Sequence, residues 1–336
     1  MRVLVTGGAG YIGSHTIMEL LRAGHDAFSV DNYCNSSPEA LRRVRRLANA
    51  DFGEANVDIR DGEKLAGVVA DFQPDAVIHF AGLKAVGASE KEPLPYYENN
   101  VLGTLSLLLA MDSAGCKRVV FSSSATVYGE PQYLPYDEDH PLNPANTYGR
   151  TKLMAEQVIR DWCRATDAAS AALLRYFNPV GAHSSGDIGE DPGGVPDNLM
   201  PYIAQVAVGR RPHLEVFGDD YETRDGTGER DYIHVVDLAR AHVAAIDFVS
   251  REPGCDAFNI GTGKAYSVMD MVKAFEAASL QKIPVQIAGR RKGDLASYYA
   301  DAGKANKRLA WGATLGLEDI CKSAWAWQSK NPEGYR

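Results

Sequence analysis

Cysteine is scarce in this chain and badly spaced for pairing. Five thiols stand at positions 34, 116, 163, 255 and 321, with no CxxC among them. An odd count without that spacing argues against a disulfide framework and against a thiolate metal site; reduced thiols in a cytoplasmic protein are expected. The eight histidines lack ligand spacing, so no metal site is expected either. Positive charge is also in deficit: 35 Lys and Arg against 44 Asp and Glu leave −9, which argues against a nucleic-acid partner. A local basic patch can still hold a small anion. No apolar run is long enough to span a bilayer, and "MRVLVTGG" enters a strand at once, so neither membrane association nor a leader is expected. Internal repeats and low-complexity tracts are missing too.

What remains is ordinary globular chemistry: 45% apolar and 24% charged residues in 336, enough for a sizeable core. Short runs rich in Val, Ile and Phe alternate with helical stretches in the first half. The strands are expected at 2–7, 26–31, 54–60, 75–82, 117–124 and 171–181. Such alternation gives a parallel sheet covered by helices on both faces. The character changes near residue 180. "GAHSSGDIGEDPGGVPDN" (181–198) reads as a long loop, and loops of that length inside a domain are commonly functional. Mixed strands and helices follow. We therefore expect an α/β fold: a Rossmann-type doubly wound parallel sheet over 1–180, and a smaller α/β substrate lobe formed mainly by 181–336.

"VTGGAGYIG" (5–13) leaves the first strand and opens a helix, with Gly7, Gly10 and Gly13 three apart. The first permits a tight turn, the second lets backbone approach a pyrophosphate, and the third allows close helix packing. The helix N-terminus offers unpaired N–H groups to the anion. Asp31 ends the second strand, 24 residues past Gly7. A carboxylate there accepts ribose hydroxyls and repels a 2′-phosphate, so NAD is favoured over NADP. The basic run "RRVRR" (42–46) starts too far along to reverse that choice and reads as a solvated helix face. Asp58 and Ile59, in "VDIRD", suit an adenine amino group and ring. A plain strand end would read the same way without the glycine motif.

"FSSSATVYG" (121–129) puts serines 122–124 at the end of the fifth strand, where ligands of such sheets lie. Helix capping would use the same residues. "NPANTYGRTK" (143–152) then starts a helix with Tyr148 and Lys152 on one face. By itself that pair is ordinary helix surface. A free tyrosine, with a pKa near 10, is only about one part in a thousand ionised at neutral pH. Making it a base at pH 7 takes about 4 kcal/mol of preferential phenolate stabilisation. Lys152 and an oxidised nicotinamide ring, both positive, are candidates to supply it.

TGxxGxxG with Ser and YxxxK resembles the extended short-chain dehydrogenase/reductase family. "FAGLKAVG" (80–87), "SSSATVYG" (122–129), "LLRYFNPVGAH" (173–183), "NLMPYIAQVAVGRR" (198–211), "DGTGERDYIHVVDLA" (225–239) and "RRKGDL" (290–295) resemble its UDP-glucose 4-epimerase branch almost end to end. The resemblance implies a homodimeric enzyme packed through helices near 90–115 and 146–166. It would interconvert UDP-glucose and UDP-galactose with tightly held NAD. It assigns proton transfer to Tyr148, support of that tyrosine and of the nicotinamide ribose to Lys152, and binding of the sugar hydroxyl to Ser124. To the cofactor it assigns Gly7, Gly10, Tyr11, Ile12, Gly13, Asp31, Asn32, Asn35, Ser36, Asp58, Ile59, Phe80, Ala81, Gly82, Lys84, Asn99 and Phe177, besides Tyr148 and Lys152. To the nucleotide-sugar it assigns Asn178, Asn198, Leu199, Phe217, Arg230, Arg291, Asp294 and Tyr298, besides Ser124. A bulky Tyr298 is expected to disfavour N-acetylated sugars. A 4,6-dehydratase would need an Asp-Glu pair where Ala125 and Thr126 stand. The "FAGLKAVG" and "RYFNPVGAH" blocks weigh against a uronate epimerase or decarboxylase. A non-catalytic NAD-sensing protein would be free to lose Tyr148, Lys152 or Ser124, and all three are present.

Overall fold

A computed structural model of the chain describes residues 1–291 and 293–336; Lys292, inside the "RRKGDL" block, lies outside the described residues. In chain order the N-terminal elements are β1 (Arg2–Thr6), α1 (Tyr11–Arg22), β2 (Asp26–Asp31), α2 (Pro38–Ala48), β3 (Gly53–Asn56), α3 (Gly62–Phe72), β4 (Ala76–His79), α4 (Val86–Lys91), α5 (Pro93–Tyr96), α6 (Gly103–Ser113), β5 (Arg118–Ser122), α7 (Thr147–Ala165) and β6 (Ser170–Tyr176). After them come β7 (Asn178–Val180), α8 (Leu199–Ala207), β8 (Leu214–Phe217), β9 (Glu229–His234), α9 (Val235–Arg251), β10 (Gly254–Ile260), β11 (Ala265–Ser267), α10 (Val268–Ser279), β12 (Val285–Ala288), β13 (Ser297–Tyr298), α11 (Gly303–Arg308) and α12 (Leu317–Lys330).

Seven strands form one parallel sheet in the order β10-β6-β5-β4-β1-β2-β3. This is the Rossmann-type order, with its reversal between β1 and β4. Such a reversal opens a crevice at the carboxyl edge of the sheet. The central strands are buried on both faces, so they read as apolar runs rather than alternations: Val3, Leu4 and Val5 of β1 are all fully buried. Two apolar layers cover the sheet. One carries Ile17, Leu20, Ile246 and Phe258, and the other Leu65, Leu107, Phe121 and Ile159.

After residue 180 the chain returns to this sheet. α9 packs against β5 and β6, and β10 pairs with β6 along seven residues. The smaller lobe is therefore discontinuous, with β7, β9, β11 and β13 in one sheet and β8 and β12 in another. Its own core gathers Met200, Ile203, Val216, Tyr232, Phe275 and Ile320. The strand expected over 171–181 is broken: β6 ends at Tyr176, and β7 leaves for the second sheet beside β9. That break places Phe177 and Asn178 at the junction of the lobes.

Two buried histidines give the fold an acid sensitivity. His15 and His242 each donate one bond from Nδ1, to the carbonyls of Tyr11 and Leu238, and neither Nε2 has a partner among the described residues. Burial lowers His15 to about 3 and His242 to about 4. The unfolded chain takes up these protons near pH 6.5, whereas the folded chain takes them up only near pH 3–4. Stability is thus full above pH 6.5 and falls as pH drops from there toward 4. Each histidine should cost about 1.4 kcal/mol at pH 5.5. Urea midpoints at pH 7.5 and 5.5 should differ accordingly, and His242→Gln should narrow the gap; equal midpoints would refute this account.

Candidate active site

Gly7, Gly10 and Gly13 form the turn between β1 and α1. Gly7 has φ +70°, and a Cβ there would stand 2.7 Å from the Ala81 nitrogen. A Cβ on Gly13 would meet the Gly7 carbonyl at 2.2 Å. The turn and the β4 loop are therefore in backbone contact, which side chains would prevent. Helix α1 begins with no side-chain cap and no acidic residue in its first turn. Its N–H groups face a cradle that any Cβ would narrow, and that fits a dinucleotide pyrophosphate. Tyr11 donates to the Gly181 carbonyl at 2.6 Å, and Ile12 packs on the core.

Asp31 lies at the end of β2 and is nearly buried. Its carboxylate accepts from the Ala9 and Tyr33 amides and the Ser36 hydroxyl. Asn32 donates to Asp58, which also takes a two-point contact from Arg60. That guanidinium holds the Asp58 carboxyl well below the usual range. With the Arg60 amide added, Asp58 already accepts four bonds. Ile59 is buried against Gly103. Asn35 is exposed in the turn beyond Asp31. Three of the four "RRVRR" arginines are engaged elsewhere: Arg42 and Arg43 pair with Glu39, and Arg45 with Asp51.

On the other side of the switch point, Phe80 and Ala81 donate their amides to the Thr6 carbonyl. Gly82 lies beside Lys152, since a Cβ there would be 3.7 Å from its Nζ. Asn99 is nearly buried in a π-helical turn, Tyr97–Leu102. Its neighbour Asn100 ties both backbone groups of Leu83 to Thr151 of α7. Such turns recur at functional sites.

The α7 N-terminus sets the tyrosine. Asn146 accepts from the Gly149 amide at 2.8 Å, Glu90 from Thr147 at 2.6 Å, and Ser89 from Tyr148 at 3.2 Å. Gly149 explains the small residue after the tyrosine: a Cβ there would lie 2.7 Å from the Thr126 carbonyl. Helix α7 can thus press on the turn that carries Ser124, which brings the Ser124 hydroxyl near enough to the Tyr148 phenol to act on its proton. Burial pushes the Tyr148 phenol up, against the direction a base requires, and the Ser124 bond acts downward. Lys152 donates from Nζ to the Ser122 carbonyl at 2.8 Å and lies 5.9 Å from the Tyr148 ring centroid. Burial lowers it to about 8.

The remaining residues fall into two groups in the smaller lobe. Tyr298 on β13 is the register partner of Arg230 on β9. The Arg230 guanidinium lies 4.6 Å from its ring centroid, and its hydroxyl donates to Asn178. Phe177 packs beside Tyr298, with ring centroids 6.0 Å apart. Separately, Arg291 lies over Phe217 and pairs with Asp294. Asn198 caps α8 by position only, without a side-chain bond to the helix, and Leu199 follows as its first residue.

Two residues at this site escaped the sequence. Glu190, in the long loop, accepts from Lys84 at 2.9 Å and Asn198 at 3.1 Å, joining the two sides of the crevice. It raises the Lys84 pKa. Tyr176 bonds Ser122 at 2.9 Å. Neither belongs to a periodic pattern; only their place inside the quoted blocks marked them. Among the described residues, no cluster of His, Cys, Asp or Glu suits a metal, and no helix is long and apolar enough to cross a membrane.

The family model described as the NAD dependent epimerase/dehydratase family matches residues 3–261. The UDP-glucose 4-epimerase of Bacillus subtilis is 56% identical over all of this chain and 99% of its own length. That of Mus musculus is 54% identical over 99% of this chain and 98% of its own. Among solved structures, UDP-glucose 4-epimerase from Bifidobacterium longum in complex with NAD+ and UDP aligns with TM-score 0.96 and 52% identity, covering 99% of this chain and 100% of that one. The Stenotrophomonas maltophila UDP-glucose-4-epimerase, with bound NAD and formylated UDP-arabinopyranose, aligns with TM-score 0.97 and 47% identity, covering 99% of each.

Proposed function

The chain belongs to the NAD dependent epimerase/dehydratase family, and from that premise we propose that it interconverts UDP-galactose and UDP-glucose as an NAD-dependent isomerase of the cytoplasm. The observation that carries this reading is the meeting of Ser124, Tyr148 and Lys152 at the sheet's carboxyl edge, beside the glycine cradle. Bound NAD would supply the hydride acceptor and donor for sugar C4 and, in its oxidised form, a positive charge.

The cradle at Gly7–Gly13 would hold the pyrophosphate, Asp31 the adenosine ribose, and Lys152 the nicotinamide ribose. Tyr148 accepts the proton of the sugar 4-hydroxyl and later returns it. Burial keeps its phenol protonated in isolation, so positive charge must arrive for it to act. Ser124 orients the hydroxyl and shortens the proton's path. In the smaller lobe, Arg230 and Arg291 suit the two phosphates, because a planar guanidinium meets phosphate oxygens in pairs. The uncapped start of α8 at Asn198 and Leu199 offers amides to the same anion. Phe217 offers an apolar face, and Asn178 is held by Tyr298 at the sugar end. Position 126 is a threonine bonded to Ser124, and position 125 an alanine, so no acid-base pair for water elimination stands there.

The test is direct. Purified protein and UDP-galactose, without added NAD, should yield UDP-glucose. No conversion by protein shown to carry cofactor would overturn the proposal. Tyr298 supplies a finer prediction. Tyr298→Gly should raise kcat/KM for UDP-N-acetylglucosamine about tenfold or more relative to UDP-glucose, since the ring's removal opens the pocket. An unchanged ratio would clear Tyr298 of that role.

Assembly as a homodimer is part of the proposal. Leu105 and Leu109 of α6 are exposed in line with Leu102 at the end of the preceding π-helical turn, with Met154 of α7 and Leu94 of α5 also exposed. A charged solvent face would not collect them. Light scattering should give twice the chain mass, and Leu105→Glu with Leu109→Glu should give the monomer. A wild-type monomer at working concentration would contradict the dimer.

A further inference from the structure

We infer that Glu156 is a positioning residue of the proton-transfer site, acting through Ser123 to place the Ser122 carbonyl against Lys152 and the Ser124 hydroxyl against Tyr148. The inference rests on the reaction proposed above. Glu156 stands one helical turn beyond Lys152 on α7 and is completely buried. Its Oε1 accepts from the Ser123 hydroxyl at 2.5 Å and from Arg175 Nε at 2.9 Å, and its Oε2 from Arg175 Nη2 at 2.7 Å. Among the described residues Ser123 has no other side-chain bond. It lies between Ser122, whose carbonyl receives the Lys152 ammonium, and Ser124, whose hydroxyl accepts from the Thr126 amide and hydroxyl on the turn that Gly149 lets α7 approach.

The same carboxylate anchors a longer chain of contacts. Arg175 donates from Nη1 to the Tyr128 hydroxyl at 3.2 Å. Tyr128 donates to Asn259 at 2.6 Å, and Asn259 donates to the Tyr136 carbonyl at 2.9 Å. Tyr136 pairs as a bridge with Ala300, two residues beyond Tyr298. A single buried hydrogen-bonded line therefore runs from the helix that carries the base to the segment that walls the sugar pocket. Buried networks of this kind rigidify the groups they hold. A reacting geometry loose by about 1 Å can cost on the order of 100-fold in rate.

Lys152 faces Tyr148 and Glu156 on its own helix, the Ser122 carbonyl and Phe121 ring on β5, and the imidazole of His79 on β4, which burial keeps neutral. Glu156 is thus the negative charge on that list.

The experiment compares wild type, Ser123→Ala and Glu156→Gln for UDP-galactose turnover, KM, NAD content and the pH dependence of kcat. Ser123→Ala keeps the Glu156–Arg175 pair. It should lose about 10-fold in kcat, with KM and NAD content unchanged and the alkaline limb of the profile in place. Glu156→Gln should lose about 10- to 100-fold, and its alkaline limb should move to lower pH as Lys152 gives up its proton sooner. Normal kcat in folded Ser123→Ala, or a loss that tracks its NAD content, overturns the inference. Should Glu156→Gln fail to fold, Ser123→Ala decides alone. A wild-type chain that converts nothing removes the reaction itself, whereas an unaffected Ser123→Ala beside an active wild type removes only this inference.

Discussion

Tyr148→Phe is expected to lower kcat for UDP-galactose by about 100- to 10,000-fold, the range that a positioned proton-transfer group contributes. NAD content and KM should stay within about twofold of wild type. The substitution removes one oxygen and leaves the rest in place. The Tyr148 ring is almost buried, and its backbone amide is held by Ser89 rather than by the hydroxyl. Phenylalanine therefore fits the same space, and the neighbouring Gly149–Thr126 approach is undisturbed. The Ser124 hydroxyl keeps the bonds from the Thr126 amide and hydroxyl. With an uncharged ring beside it, Lys152 still reaches the Ser122 carbonyl. Only the proton acceptor is gone. The measurement is a single-turnover assay on protein with quantified cofactor. Turnover above about a tenth of wild type would take Tyr148 out of the role.

How much of this was legible depends on whether the signal was local. The glycine turn was legible because a strand, three glycines and a helix start lie within a dozen residues, and the close approach at Gly7 and Gly13 demands them. The Tyr148–Lys152 face followed from helical spacing. Gly149 was visible as a small residue, but its reason was not, because the Thr126 carbonyl it admits comes from another segment. The return of α9 and β10 to the main sheet left no mark in the chain: parallel pairing with β6 across some eighty residues has no local pattern. The same holds for Glu190, whose two partners lie 106 and 8 residues away. The upward push on the Tyr148 phenol was equally invisible, since burial belongs to the folded surroundings rather than to YxxxK.

Arg175→Leu is expected to cost about 3–5 kcal/mol of stability, the range for removing one partner of a buried ion pair. Arg175 is among the largest fully buried side chains of the described residues, with three of its nitrogens bonded. Its loss strands the Glu156 carboxylate, also fully buried, with the Ser123 hydroxyl as its remaining partner. The Tyr128 hydroxyl loses one donor as well. The double variant Arg175→Leu with Glu156→Leu should recover most of the loss, because an apolar pair of similar volume avoids burying charge. An unpaired Ser123 would keep it about 1–3 kcal/mol short of wild type. Urea midpoints of the three proteins test this, and a single variant within about 1 kcal/mol of wild type would refute it. The double variant also separates two roles of the pair. If the ion pair served stability alone, turnover would return with the midpoint. If Glu156 holds Ser123, and through it the Lys152 and Ser124 contacts, the recovered fold should still turn over slowly.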